Sequence, residues 1–289
     1  TILPHDVRTG ESDDLARRIS KNISIILKEE SHLDKTADPA AGSYYVEKLT
    51  DQLTRKSMSL FREIEQEGGY FASYSKGLIQ ERITVVREKQ DQQVTSRRKI
   101  YVGTNQYPIV NEMSKTRAST EGPDYDALEL ELLKPRSGAE KIEVIRNNTE
   151  QYVKNNPNKK RPQVYLTLIG DNAAMRTARA TFSTGFLGCG GFSIMEGPIG
   201  EPLDVAIDNA IKANTEITVV CGADDDYNES AAYFARKFKS EKPDGMLILA
   251  GHPGDNKDAF EIAGIDDFIH IKSDLAKTLT NLQIKLNII

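Results

Sequence analysis

The chain has 289 residues, 38% hydrophobic and 28% charged, the balance of a folded protein and not of a disordered one. Asp and Glu outnumber Lys and Arg by 43 to 38, a net charge of −5, so the chain lacks the basic footprint that nucleic acid or an anionic membrane selects. No run approaches the roughly 18 apolar residues of a membrane-spanning helix, no leader pattern opens the chain, and the 2 cysteines, Cys189 and Cys221, are too far apart for a disulfide framework or zinc pair. The chain therefore reads as cytoplasmic, with both thiols packed as small reduced hydrophobes. Its length sets an expectation of two domains, and the opening Thr1-Ile2-Leu3-Pro4 has the character of an interior segment, which sets the expectation of a longer parent protein.

Leu15, Ile19, Ile23, Ile26 and Leu27 recur at helical spacing after the cap candidate Ser12 and predict a helix ending near Glu30. A turn cluster, Asp38 to Ser43, leads into a second amphipathic helix carrying Val46, Leu49, Leu53, Met58, Phe61 and Ile64, which Gly68-Gly69 stops. A third runs from about Ser73 to Gln93, making residues 1–110 mainly helical. Between Arg97 and Pro162 the chain is punctuated by Gly103, Pro108, Gly122, Pro123, Pro135, Gly138 and Pro157, with one helix over Ala139–Lys154. Residues 111–162 read as a linker that ends in the polar stretch Asn155 to Pro162, in which Lys159-Lys160-Arg161 reads as solvated.

Residues 163–289 alternate short apolar runs with helical segments. The runs are Gln163–Ile169, Phe192–Met195, Ile217–Cys221, Gly245–Leu249 and Phe268–Ile271; the helical segments are Asn172–Leu187, Glu201–Asn214, Asp226–Lys239, Asp258–Ala263 and Asp274–Asn287. Such units imply an α/β fold: a doubly wound parallel five-stranded sheet of flavodoxin-like order 2-1-3-4-5, with a crevice at the carboxyl ends of strands 1 and 3. The loop Gly170 to Thr177 holds neither a dinucleotide nor a triphosphate glycine motif. Asp171, Asp224 and Lys272 resemble the acidic pocket of a receiver domain, but Ala250-Gly251 stands where its hydroxyl belongs, and Asp226 reads as a helix cap rather than a metal ligand. His5, His32, His252 and His270 are each unaccompanied by a triad or zinc partner, and Tyr44-Tyr45 reads as helix-start packing. No catalytic residue and no metal site are expected in this chain.

The order of these pieces resembles methylmalonyl-CoA mutase. The resemblance is carried by Ala16 to Asn22, Glu29 to Leu33, and Ala37-Asp38-Pro39-Ala40-Ala41-Gly42-Ser43-Tyr44-Tyr45-Val46-Glu47, which look like the helical end of that family's TIM-barrel substrate domain, and more weakly by residues 163–289, which are similar to its flavodoxin-like cobalamin domain. Cobalamin-binding members carry Asp-x-His-x-x-Gly after the first strand, the His ligating cobalt and the Asp orienting it. Here those positions read Asn172-x-Ala174-x-x-Thr177, and the ligand is gone. The stretch Ala173 to Phe182 is similar to the loop of the family's small, non-cobalamin-binding subunit. The resemblance thus implies a structural, non-catalytic chain that binds no cofactor and pairs as a heterodimer with a large catalytic subunit. That partner holds adenosylcobalamin and interconverts methylmalonyl-CoA and succinyl-CoA. The alternatives are a chain that binds cobalamin and isomerises acyl-CoA itself, with His252 the one imidazole near the crevice, and, outside the family, a Mg²⁺-binding receiver-like switch.

Overall fold

The computed structural model describes residues 2–6, 12–110, 112, 132–133 and 136–289. Gly122, Pro123 and Pro135, read above as linker punctuation, lie outside them. Packing divides the chain into two compact units, residues 1–86 with 115–135 and residues 87–114 with 136–289.

The first unit contains α1 (Asp14–Glu29), α2 (Tyr44–Gln66), α3 (Gly69–Ser75) and the start of α4 (Leu78–Thr95). Asp13, not Ser12, caps α1: its carboxylate accepts the Ala16 N–H at 2.6 Å, while the Ser12 carbonyl receives the Arg17 guanidinium at 2.9 Å. After α2 ends, Gly68 and Gly69 take φ of 102° and 85°, left-handed values that only glycine adopts at little cost. The helix expected over Ser73–Gln93 is broken, because Lys76 ends α3 and Gly77, at φ 79°, turns the chain before α4. The predicted apolar rows form, but they face outward: Leu15, Ile19, Ile23, Ile26 and Leu27 of α1 and Val46, Leu49, Leu53, Met58 and Phe61 of α2 are exposed, and α2 buries none of its residues. Tyr44 and Tyr45 are 93% and 76% exposed, so the expected packing at the helix start does not form.

In the second unit β1 (Gln163–Leu168), β2 (Ser193–Glu196), β3 (Ile217–Cys221), β4 (Met246–Leu249) and β5 (Asp267–Phe268) make an all-parallel sheet in the order β2-β1-β3-β4-β5. This is the flavodoxin-like order expected from the five units. The last strand is shorter than predicted, pairing only Asp267 and Phe268 with Ile248 and Leu249; the His270 N–H then turns to the Ser273 hydroxyl at 3.0 Å and leaves the ladder.

Alternate strand residues feed two cores. Val164, Leu166, Leu168, Val219 and Ile248 pack with α6 (Ala173–Gly188), α10 (Leu275–Lys285) and α5 (Glu140–Asn155). Tyr165, Val220, Leu247 and Leu249 pack with α7 (Leu203–Lys212), α8 (Asp224–Glu241) and α9 (Lys257–Ala263). Both faces are covered, which is why β1, β3 and β4 read as nearly unbroken apolar runs.

The range read as linker includes part of this unit. Ile142 and Ile145 of α5 are buried in the first core, and the buried Gln283 of α10 donates to Thr149 at 2.8 Å. Arg161 is no solvated linker residue: it and Arg146 flank the buried Glu150 at 3.2 and 3.1 Å, and both donate to the Glu112 carbonyl, at 2.7 and 2.6 Å. Residues 87–110 also belong here, earlier than the expected boundary at 110. Asn105, fully buried, donates to the carbonyls of Val94 and Lys99 at 2.9 and 2.8 Å, and Arg97 lays its guanidinium over Phe182 and Phe186 at 4.4 and 5.0 Å.

Among the described residues no helix is long and apolar enough to cross a membrane. The outward rows of α1 and α2 predict that this chain by itself exposes more than the roughly 300–600 Å² patch usual on a monomer. It is expected to brighten a hydrophobic dye and to self-associate in light scattering; a monodisperse monomer that leaves the dye dark would contradict this.

Candidate functional site

In a doubly wound sheet, ligands meet the carboxyl ends of the strands where the order reverses, here between β1 and β3. The Ile169 N–H continues the ladder to the Cys221 carbonyl at 3.0 Å, and Gly170, at φ 80°, then turns the chain toward α6. Asn172 caps that helix, its side-chain oxygen accepting the Met175 N–H at 3.1 Å. Ala174 and Thr177 are exposed on the opening turns of α6, so the three loop positions carried by the resemblance gather no polar pocket. Arg176, buried beside them, donates to the Gly170 carbonyl.

The space behind the loop is filled by the chain itself. Arg179 of α6 donates to the Ala250 carbonyl and to the Asp224 carboxylate, both at 2.6 Å, with its guanidinium 4.8 Å from the centre of the Tyr227 ring. The buried Tyr227 hydroxyl accepts the Gly222 N–H at 2.8 Å and lies 2.8 and 3.1 Å from the Ala250 and Val220 carbonyls, donating its single proton to one of them. Burial holds that phenol well above its ordinary range, so it stays protonated. A Cβ at Gly251 would overlap the Arg179 guanidinium, and one at Gly222 would come within 2.8 Å of the Ile169 side chain. Arg179 and Tyr227 were not singled out by spacing. Their partners lie 45 and 71 residues from Arg179, and no local pattern announces that.

Asp224 and Asp226 are occupied in the same way, while Asp171 is exposed. Asp224, set beside Asp171 and Lys272 by the receiver-like reading, is ion-paired with Arg179. Asp226 does serve the start of α8, but from the third helical position, reaching back to the Ala223 N–H at 2.7 Å. Among the described residues no three His, Cys, Asp or Glu side chains cluster to hold a metal. Cys189 and Cys221 are buried, which pushes each thiol up to about 12 and removes thiolate chemistry at neutral pH.

His252 and His270, read as unaccompanied, come together beyond β4 and β5, with ring centres 4.8 Å apart. Each Nδ1 accepts a backbone N–H, from Gly254 at 3.1 Å and from Lys272 at 3.2 Å. Protonating the His270 Nδ1 would set it donor to donor against the Lys272 N–H. Burial, then the neighbouring His252 and Lys272, lower the His270 pKa from its ordinary 6.5 against the pull of Asp267.

A folded-state pKa below the unfolded value means that the unfolded chain takes up the proton first. His270 therefore contributes stability that is full above pH 6.5 and is lost as the pH falls below it. Urea unfolding across this range should show the wild type losing its advantage over His270→Asn on acidification; a gap that stays constant or widens would contradict the pairing.

Comparison with known proteins follows the same lines. Residues 3–153 match the family model described as methylmalonyl-CoA mutase. Over 291 residues the chain is 34% identical to the methylmalonyl-CoA mutase small subunit of Porphyromonas gingivalis, covering 100% of this chain and 45% of that protein. To the small subunit from Streptomyces virginiae it is 32% identical over 284 residues, 97% of this chain and 43% of the relative. A shorter similarity, 34% over 99 residues, joins 34% of this chain to 14% of the methylmalonyl-CoA mutase large subunit of Porphyromonas gingivalis. The chain thus spans less than half the length of the small subunits it matches. With the family model matched across more than half of its residues, this chain belongs to the methylmalonyl-CoA mutase family.

Proposed function

We propose that this chain is the carboxyl-terminal part of a mutase small subunit. In this reading it is a non-catalytic partner that supports a cobalamin-binding large subunit in interconverting methylmalonyl-CoA and succinyl-CoA. The relatives that align with nearly all of it carry the name small subunit, and one organism has proteins named for both subunits. Residues 163–289 are then a cobalamin-domain scaffold with a degenerate loop. The helices within residues 1–110 are the end of a substrate barrel, and their outward apolar rows suit strands supplied by the rest of that barrel. The cytoplasm, where the thiols of Cys189 and Cys221 stay reduced, suits such an assembly.

The observation that carries this reading is the filled crevice. Cobalt ligation in the resemblance needs an imidazole steadied at its other nitrogen. Ala174 has none, Asn172 is spent on the helix cap, and Arg179 with Tyr227 fills the sheet edge behind them. Cobalamin does not fit the residues present. His252 offers no substitute, because its Nδ1 accepts a backbone N–H and its ring packs on His270. What the chain's own residues do is hold the scaffold: they satisfy the free carbonyls of the strand ends and exclude water from them.

Titrating the full-length protein with adenosylcobalamin tests this. No absorbance change of histidine ligation is expected in the wild type, and Ala174→His alone should recover little of it, since Arg179 and Tyr227 remain. Ligation by the unsubstituted protein would overturn the reading, and full ligation in the single variant would overturn the role given to the filled crevice. Conversion of methylmalonyl-CoA by this subunit alone with added adenosylcobalamin would equally refute a structural role.

A further inference from the structure

We propose that the sheet unit carries a small-molecule site at the edge opposite the filled crevice, for the phosphate group of a phosphorylated metabolite. A cavity of about 440 Å³ opens there, within the roughly 300–1,000 Å³ range of ligand pockets. Gln163, the first residue of β1, and Glu216, just before β3, mark it as lying at the amino-terminal edge of the sheet. It involves none of the residues that fill the crevice and is independent of the reading above.

Three cations line this cavity, Lys159, Lys160 and Arg161, against the single carboxylate of Glu216, in a chain whose net charge is −5. Glu216 does little to cancel them: it accepts the Gln163 N–H at 2.8 Å, and its charge also acts on Lys242. Arg161 is committed to Glu150 and to the Val110 and Glu112 carbonyls, so it contributes fixed background charge. Lys159 is held in place, its ammonium donating to the Tyr152 hydroxyl at 2.8 Å and lying 4.9 Å from the ring centre. An ammonium has three donors, and that bond uses one. Lys160 lines the cavity with no hydrogen bond or ion pair among the described residues.

Two ammonium groups lining one cavity, one preset by an aromatic ring and one uncommitted, suit a doubly charged anion. Phosphate, which lysine binds as a point charge, suits them better than a single carboxylate. Leu286 completes an apolar wall against which the rest of such a metabolite lies.

Calorimetric titration of the full-length protein with inorganic pyrophosphate at low salt reads this directly. The expected result is saturable binding that weakens about tenfold in Lys160→Gln, the loss for one charge-assisted hydrogen bond, and further in Lys159→Gln with Lys160→Gln. Lys160 is exposed, so its variant should melt as the wild type does. A control with Lys48→Gln and Lys56→Gln on α2 should bind unchanged. Absence of saturable binding, a double variant that binds like the wild type, or an equal loss in the control would each overturn the proposal.

Discussion

The carboxyl edge of this sheet is closed by one guanidinium and one phenol. A parallel sheet ends its strands with carbonyl groups that the ladder does not pair, and buried carbonyls must find donors or water. The Ala250 carbonyl lies 2.6 Å from a guanidinium nitrogen of Arg179 and 2.8 Å from the hydroxyl of Tyr227. Arg179 comes from α6 and Tyr227 from α8, so one strand end joins helices from both faces of the sheet. Asp224, at the first residue of α8, supplies the countercharge while staying largely in water. The glycines at 222 and 251 follow from this packing, since each keeps clear a space that Ile169 or Arg179 enters.

That arrangement separates architecture from chemistry. Strand order, crossovers and both cores are those of a ligand-binding doubly wound domain, yet the reversal point presents side chains where such a domain presents a pocket. Loss of a ligand from a buried edge leaves polar groups that must be satisfied again. Here the arginine and tyrosine satisfy them, as the proposed scaffold role requires.

What was legible in the sequence was whatever depends on short-range pattern. Five apolar runs with helices between them fix the sheet order, because right-handed crossovers leave few alternatives. The stop at Gly68-Gly69 is likewise local. The break at Gly77 is hidden because apolar spacing continues across it, and the early end of β5 because Ile269 and Ile271 keep the apolar pattern while the His270 N–H turns to the Ser273 hydroxyl. α5 looked like part of a tether since its neighbours are polar, although Ile142 and Ile145 place it in the core. Arg179, Tyr227 and the His252–His270 pair were invisible for a different reason. Their meaning lies in contacts between separate loops and helices, and nothing in residue spacing encodes those.

The proposed function requires that this chain keep the frame of a cobalamin domain with its site closed. Cobalamin content of the purified complex between the full-length small subunit and its large partner measures this most directly. One cobalamin for each pair of subunits is the predicted result, and it should be unchanged when Arg179 is replaced by Lys. Two for each pair, the second lost on denaturing this subunit, would contradict it.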